Sequence, residues 1–119
     1  MKKPNGYVDV FLLQVPKAKL AAYKKIAHKF GKVMEKLGAL EYREFMGDDL
    51  SPELFPALMK LKKNEVLISS FVGFKNKKHR DKVNKAMMED PEMKKMMTMK
   101  PLFDMSKMMY GGFKTFIQM

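Results

Sequence analysis

The chain has 119 residues, a formal net charge of +11 and no cysteine. That length suits one folded domain, so we expect residues 1–119 to form a single unit. The 46% hydrophobic content excludes a disordered polymer, and the absence of cysteine excludes disulfides and thiolate metal sites. No apolar run approaches the ~18 residues that cross a bilayer. We therefore expect a soluble cytoplasmic protein with no membrane partner.

Lysine dominates the positive charge. The 24 basic residues include only two arginines, Arg43 and Arg80. Planar, bidentate recognition of phosphates and bases favours arginine, so this composition does not favour specific nucleic-acid binding. Lysine alone still supplies the counterion release behind weak, salt-sensitive adhesion to RNA. A noncatalytic interaction protein with lysine-driven RNA association therefore stays open as an alternative function.

The first predicted element is a strand over Tyr7–Val15, a β-rich run closed by Pro16. Its side chains alternate between two faces, and both faces are largely apolar. One face carries Asp9 among Tyr7, Phe11, Leu13 and Val15, and the other carries Val8, Val10 and Leu12 with Gln14. A strand of this kind is covered on both sides.

A helix is predicted next, from Lys17 to Leu37, directly before the stop signal Gly38. Its apolar residues recur at spacings of three and four and form one stripe: Leu20, Tyr23, Ala27, Phe30, Met34 and Leu37. The opposite side carries Lys25, Lys29, Lys32 and Lys36. We interpret these lysines as the solvated side of an amphipathic helix.

Two more strands are predicted over Leu40–Gly47 and Glu65–Phe74. The connection between them is too long for a tight hairpin, and its Ser51-Pro52 pair predicts a short helical turn within it. Such a connection serves either as a lid or partner contact, or as an arm that caps the sheet. The sequence leaves both interpretations open.

The second long helix is predicted over Lys77–Met88, with Asn76 as its N-cap and with Val83, Ala86 and Met87 facing inward. Asp90 then caps a short third helix that runs to about Met97, with Pro91 at its first position. The inward residues of both helices are predicted to pack on the sheet.

The last predicted strand covers Met108–Ile117, where Gly111 and Gly112 indicate a bulge or a close backbone approach. The resulting order, βαββαβ, is that of a ferredoxin-like α+β fold with an antiparallel sheet and helices on one face. The other face would expose more apolar surface than a soluble monomer tolerates. We therefore expect a homodimer through the sheet faces, which would give a dimeric α/β barrel.

Four stretches of the sequence, YVDVFLLQVPK, LGALEYREFMGDD, HRDKVNKAMMEDPEM and FDMSKMMYGGF, resemble the DUF1428 family of small bacterial proteins. The resemblance implies the dimeric α/β-barrel group and a family without an assigned activity. Proteins of that group often hold small molecules between the sheet and the helices. The chain departs from the family pattern at Lys17–Lys19, where relatives have an acidic capping residue. It also departs at Phe103–Met108, which reads FDMSKM where relatives read FDGKRM.

The sharpest candidate for chemistry is Asp9, because a carboxylate on an apolar strand face costs several kcal/mol unless it is paired or protonated. His79, at the start of the second long helix, is one candidate partner. Should the two meet, they would form an acid–base pair for proton abstraction next to a carbonyl, with Tyr110 orienting the substrate. The predicted catalytic residues are therefore Asp9, His79 and Tyr110.

The predicted ligand-binding residues are Arg80, Asp81 and Asn84, which lie near the same end of the sheet. A structural interpretation is also open, in which Arg80 neutralises a buried Asp9 and His79 serves the amides of the helix start. The sequence does not decide whether the protein is an enzyme. The predicted ligand is a small apolar metabolite with a carbonyl group.

No metal or cofactor is expected. The two histidines, His28 and His79, do not have zinc-ligand spacing, and the carboxylates do not form a calcium-binding loop. Methionine is concentrated between Met87 and Met109. Thioether sulfur suits Cu(I), but methionine also fills irregular core gaps. We favour packing under the short third helix or the lining of an apolar pocket.

Overall fold

The computed structural model describes residues 6–119, and this part of the chain contains an antiparallel four-stranded sheet with helices. The strands are β1 (Tyr7–Pro16), β2 (Glu41–Met46), β3 (Glu65–Phe74) and β4 (Met109–Lys114). The helices are α1 (Leu20–Lys36), α2 (Phe55–Leu58), α3 (Lys77–Glu89) and α4 (Pro91–Met97). The predicted α+β class is confirmed.

The strand order across the sheet is β2-β3-β1-β4, and each neighbouring pair runs antiparallel. The two central strands, β1 and β3, pair along their whole length, from Tyr7 opposite Phe74 to Pro16 opposite Glu65. These are also the two strands whose sequences are apolar on both faces. Each of them hydrogen-bonds to a neighbouring strand on both sides, so neither is an edge strand.

Helices α1 and α3 pack on the sheet face that carries Tyr7. One core cluster joins Tyr7 of β1 to Met34 of α1 and Val83 of α3. A second cluster joins Leu13 and Val15 of β1 to Tyr23 of α1. Both clusters use the predicted stripe of α1, so the helical periodicity of the sequence identified the buried side of this helix correctly.

Helix α1 begins later than predicted. Lys17–Lys19 form a short 3₁₀ turn, and the α-helix starts at Leu20 without a side-chain cap. The Lys17 amide donates a 2.7 Å hydrogen bond to the Asn64 carbonyl, which ties this turn to the residue preceding β3. A short 3₁₀ turn of this kind is common at the start of an α-helix.

Strand β4 is shorter than predicted and ends at Lys114 instead of Ile117. Lys114 pairs with Tyr7, the first residue of β1, and one further hydrogen bond joins the Thr115 amide to the Gly6 carbonyl at 3.0 Å. The register between β1 and β4 is continuous and contains no bulge. Gly112 instead marks a close approach, since a Cβ atom there would overlap the Tyr7 hydroxyl.

Both predicted helix caps are confirmed. The Asn76 side chain accepts a 2.8 Å hydrogen bond from the His79 amide at the start of α3. The Asp90 side chain accepts from the amides of Glu92 and Met93 at the start of α4. Asp90 also forms a 2.8 Å ion pair with Lys36 of α1, whose hydrogen bond lowers the pKa of the Asp90 carboxyl. This residue therefore fastens α4 to α1.

The connection between β2 and β3 contains the predicted helical turn, α2, and lies against the second face of the sheet. The Gln14 side-chain amide, on that face of β1, donates a 2.7 Å hydrogen bond to the Met59 carbonyl. Leu67, opposite Gln14 in the register, is buried. One end of the second face is thus covered by the chain itself.

The part of the second face formed by β1 and β4 is apolar and partly exposed. Val8, Val10 and Leu12 are only half-buried there. On the neighbouring strand β4, Met109 is 51% exposed and Phe113 is 57% exposed. Within residues 6–119, none of the helices combines the length and apolar character that a membrane span requires.

Candidate functional site

A cavity of about 400 Å³ lies between the sheet and the helices. Its wall is mostly apolar and includes Phe11, Leu13, Ile26, Phe30, Met34 and Phe103. The volume and the apolar lining with a few polar groups are typical of pockets that bind small molecules. We call this space the sheet–helix cavity.

Asp9 lines the cavity and is only 2% exposed. Its carboxylate accepts hydrogen bonds from Arg80 Nη1 at 3.0 Å and from Asn84 Nδ2 at 3.3 Å. Arg80 and Asn84 are four residues apart on α3, so both side chains project from one side of the helix towards β1. The buried carboxylate is therefore paired, as its position on an apolar strand face requires.

Arg80 binds two tyrosines in addition to Asp9. Its Nη1 donates to the Tyr110 hydroxyl at 2.9 Å, and its Nη2 donates to the Tyr7 hydroxyl at 3.1 Å. The guanidinium carbon also lies 5.0 Å from the centre of the Tyr7 ring, within cation–π range. Burial lowers the pKa of Arg80, but Asp9, Tyr110, Tyr7 and Asp81 together raise it above the ordinary value.

Tyr110 lines the cavity beside Asp9. Its ring packs against Phe11 with 4.7 Å between ring centroids. Burial is the main cause that raises the pKa of its hydroxyl, and the Asp9 charge raises that pKa further. Tyr110 therefore stays a neutral hydroxyl at physiological pH and can donate or accept a hydrogen bond. We call Asp9, Arg80, Asn84 and Tyr110 the Asp9 group.

The expectation for His79 needs a correction, because the structure does not bring His79 to Asp9. Its Nδ1 accepts a 2.9 Å hydrogen bond from the Lys75 amide, and its ring meets Phe74 edge-on at 5.8 Å. His79 precedes Arg80, and consecutive helical residues point about 100° apart, so only one of them can face Asp9. Arg80 takes that place.

The predicted site residues therefore divide into two sets. Asp9, Asn84 and Tyr110 line the sheet–helix cavity, whereas His79, Arg80 and Asp81 lie outside its lining. Asp81 is exposed and pairs with Lys77 at 3.4 Å and with Arg80 Nε at 3.0 Å. Arg80 acts through Asp9 and Tyr110, which it holds in position.

A second polar group in the cavity was not found from the sequence. Glu44 of β2 lines the cavity, and its two carboxylate oxygens accept hydrogen bonds from the hydroxyls of Tyr23 and Tyr42. Burial raises the pKa of Glu44 above its ordinary value, although hydrogen bonds from Tyr23 and Ser70 act in the opposite direction. We call Glu44, Tyr23, Tyr42 and Ser70 the Glu44 group.

A signal for the Glu44 group was present in the sequence of β2. Strand alternation places Tyr42 and Glu44 on one face and Arg43 and Phe45 on the other. A tyrosine and a glutamate on a strand face that packs against a helix predict a buried carboxylate that accepts a hydrogen bond from a hydroxyl. Tyr23 could not be assigned to this group in advance, since its contact with β2 depends on how α1 lies on the sheet.

The strand register relates the two groups. Glu44 lies opposite Ser70, Ser70 opposite Phe11, and Phe11 opposite Tyr110, so one row of side chains crosses all four strands. With ~4.8 Å between strands and ~3.4 Å per residue, the Cα atoms of Glu44 and Asp9 are roughly 12 Å apart. The two carboxylates therefore belong to separate polar groups within one apolar cavity.

Methionines supply a large part of the remaining wall. Five members of the methionine-rich segment line the cavity: Met87, Met93, Met97, Met105 and Met108. Unbranched thioether side chains adapt easily to the shape of a bound molecule. Within residues 6–119, no three His, Asp or Glu side chains gather as a metal-binding cluster.

Comparison with known proteins places the chain in a family. The model of the family described as "Protein of unknown function (DUF1428)" matches residues 6–105. The chain is 35% identical over 114 residues to "Uncharacterized protein YbaA" from Escherichia coli K12, an alignment that covers 93% of this chain and 97% of the relative. "Uncharacterized protein YbaA" from Shigella flexneri gives the same identity and coverage. The chain therefore belongs to the DUF1428 family.

Proposed function

We propose that this protein binds a small, largely apolar molecule with a carbonyl group in the sheet–helix cavity. The observation that carries the proposal is an apolar cavity of about 400 Å³ that has Asp9, Asn84 and Tyr110 in its wall. A molecule bound in an apolar cavity of this size would gain packing contacts with the wall. The few polar groups in its wall would fix the orientation of that molecule.

The Asp9 group favours a hydrogen-bond acceptor on the ligand. Arg80 donates to the Tyr110 oxygen, and the Tyr110 hydroxyl also hydrogen-bonds to the Asp9 carboxylate, so its one hydrogen is already used. Asn84 uses one amide hydrogen on Asp9 and has a second one. This second Asn84 hydrogen is therefore a donor that remains for a carbonyl oxygen of the ligand.

Proton abstraction next to the bound carbonyl is a further step of the same proposal. Asp9 would act as the base and Asn84 would orient the carbonyl, while Arg80 holds Asp9 and Tyr110 in position. A base must lie within hydrogen-bond reach of the proton that it removes. Asp9 lines the cavity, so its carboxylate borders the space that a bound ligand would occupy.

We also infer that the chain is one ferredoxin-like domain that forms a homodimer through its second sheet face. The strand order β2-β3-β1-β4 and the antiparallel pairing support that topology. The half-buried Val10 and Leu12 and the exposed Met109 and Phe113 form an apolar surface on this face. A second copy related by a twofold axis would cover the same residues on both chains.

Chalcone, an apolar ketone, and trans-stilbene, which lacks the carbonyl, test the proposed function. Labelling the methionine methyl groups with ¹³C gives reporters inside the cavity, such as Met93 and Met108, and reporters outside its lining, such as Met88 and Met99. Chalcone is expected to shift the NMR signals of the inside methyl groups alone. It is also expected to bind several-fold more tightly than trans-stilbene, a preference that Asn84→Leu should reduce.

Chemical shift changes confined to Met88 and Met99, or no changes with either compound, would contradict ligand binding in the cavity. Ionic strength separates this function from lysine-driven RNA association. Binding in an apolar cavity should change little between low and physiological salt, whereas RNA held by lysines should dissociate steeply. A short single-stranded RNA titrated under the same two conditions gives that comparison.

A further inference from the structure

We infer that the ligand of the sheet–helix cavity carries a hydroxyl group in addition to its carbonyl, and that Glu44 accepts the hydrogen bond from that hydroxyl. This inference rests on the proposed function and makes the class of ligand more specific. It is carried by the Glu44 group, which the proposed proton chemistry does not use.

The hydroxyl hydrogens around Glu44 are already donated to its carboxylate. Tyr23 donates to one carboxylate oxygen and Tyr42 donates to the other. Ser70, which lies opposite Glu44 in the register, also forms a side-chain hydrogen bond to this carboxylate. A hydroxyl has one hydrogen, so none of these three groups has a donor left for a ligand.

What the Glu44 group still offers is acceptors. An ionised carboxylate has about four lone-pair sites, of which these hydroxyls fill three. The oxygens of Tyr23 and Tyr42 keep lone pairs of their own. The group lines the cavity, so a molecule bound there would meet acceptors on this side. Only a hydrogen-bond donor on the ligand complements them.

The surroundings favour a neutral donor over an ammonium group. The Tyr23 ring meets Phe103 at 6.1 Å, and the Tyr42 ring meets Phe30 at 5.5 Å, so aromatic carbon surrounds the carboxylate. Moving an ammonium ion into such a wall costs far more than moving a hydroxyl. Three donated hydrogen bonds also spread the negative charge that would attract a cation. A phenol or an alcohol therefore fits best.

The two polar groups would together orient the ligand. The Asp9 group keeps one unused donor, the second amide hydrogen of Asn84, whereas the Glu44 group has acceptors. Asn84 binds Asp9 of β1, and Glu44 lies on β2, two strands away across the sheet. A carbonyl facing Asn84 and a hydroxyl facing Glu44 would satisfy both groups at once, and the reversed orientation would satisfy neither.

The test compares 4-hydroxychalcone with 4-methylchalcone, which have nearly the same size and differ in the donor. Isothermal titration calorimetry on the full chain is expected to show binding of 4-hydroxychalcone about tenfold tighter, the usual effect of one hydrogen bond to a charged group. Glu44→Gln should remove most of this preference. Glu35→Gln, on the exposed side of α1, is the matched control and should retain it.

Tyr23→Phe separates a binding role from a structural one. This variant keeps the ring but removes a donor from Glu44, so the carboxylate has a free lone pair and the preference for the hydroxyl probe should persist or grow. Thermal unfolding followed by circular dichroism checks that each variant is folded.

Each outcome of the titrations has one meaning. Equal affinities for the two probes in the wild type, with both binding, would overturn the hydroxyl inference and leave the proposed function standing. A preference that survives Glu44→Gln would also overturn the inference. Failure of both probes and of unsubstituted chalcone to bind would overturn the proposed function and this inference together.

Discussion

Arg80 of α3 holds Asp9 of β1 at 3.0 Å across 71 residues of sequence. The pair fastens the second long helix to the centre of the sheet, and Asp9 also forms part of the cavity wall. A structural role and a functional role are therefore combined in one carboxylate. Two kinds of variant separate these roles. One replaces both residues of the pair, and the other replaces only one of them.

Arg80→Met should destabilise the protein by about 3–5 kcal/mol, because it leaves a buried carboxylate without its cation. The double variant Asp9→Leu/Arg80→Met should recover most of that loss, since it replaces the ion pair with apolar side chains of similar volume. Urea unfolding gives the free energies of both variants. The double variant is also expected to bind chalcone without the preference over trans-stilbene.

Lys77→Met is the matched control for this pair. Lys77 forms an exposed ion pair with Asp81 on the same helix, and such pairs contribute less than about 1 kcal/mol. A loss with Lys77→Met as large as that with Arg80→Met would show that the helix itself, and not the buried pair, responds to these substitutions.

The sequence predicted that Asp9 needs a partner for its carboxylate, but it did not decide which residue is that partner. A carboxylate on an apolar strand face needs a cation, and the start of α3 offered His79 and Arg80. Choosing between two consecutive helical residues requires the rotation of the helix on the sheet, which tertiary packing decides. The structural interpretation named Arg80, and the structure agrees with it.

The elements and caps were predicted well because their signals are local. Asn76 and Asp90 cap the helices that follow them, and the stripe of α1 faces the core. The Glu44 group was missed because its members come from α1, β2 and β3. Single alternating positions such as Tyr42 and Glu44 give no sign of which helix they meet.

Gly112→Ala should destabilise β4 by about 1–3 kcal/mol, the usual cost of overpacking. The added Cβ atom would overlap the Tyr7 hydroxyl, which cannot move away freely because Arg80 binds it. Gly111→Ala is the matched control on the adjacent residue, where a Cβ atom would come no closer than 3.4 Å to its nearest neighbour, the Phe113 ring. Equal unfolding midpoints for the two variants would contradict this account of Gly112.

Phe113→Asp should convert the proposed dimer into a monomer. Phe113 is 57% exposed on the second sheet face, where a twofold partner would bury it. A carboxylate in the interface would be desolvated without a partner. Sedimentation velocity is expected to show a dimer for the wild type and a monomer for Phe113→Asp.

The control for the interface is Lys25→Asp, on the exposed side of α1, which should stay dimeric. A wild-type chain that sediments as a monomer at micromolar concentration would refute the proposed homodimer. It would leave the cavity intact, because the cavity lies on the opposite face of the sheet.

Glu44 should make the stability of the protein depend on pH in a direction that can be stated in advance. Burial raises its pKa in the folded chain above the ordinary value of 4.5. Between these two pKa values the folded state binds more protons than the unfolded state, so stability falls as the pH rises. The favourable contribution is complete below the ordinary value and is lost as the pH rises through the folded value. Glu44→Gln removes this group from the titration.

Urea unfolding of the wild type and of Glu44→Gln at several pH values from about 4 to 7 measures this effect. The wild type should lose stability relative to Glu44→Gln as the pH increases, and Glu35→Gln should run parallel to the wild type. A difference between wild type and Glu44→Gln that grows in favour of the wild type with rising pH would mean that the hydrogen bonds from Tyr23 and Ser70 outweigh burial. Such a result would contradict the prediction, because the pKa of Glu44 in the folded chain would then lie below its ordinary value.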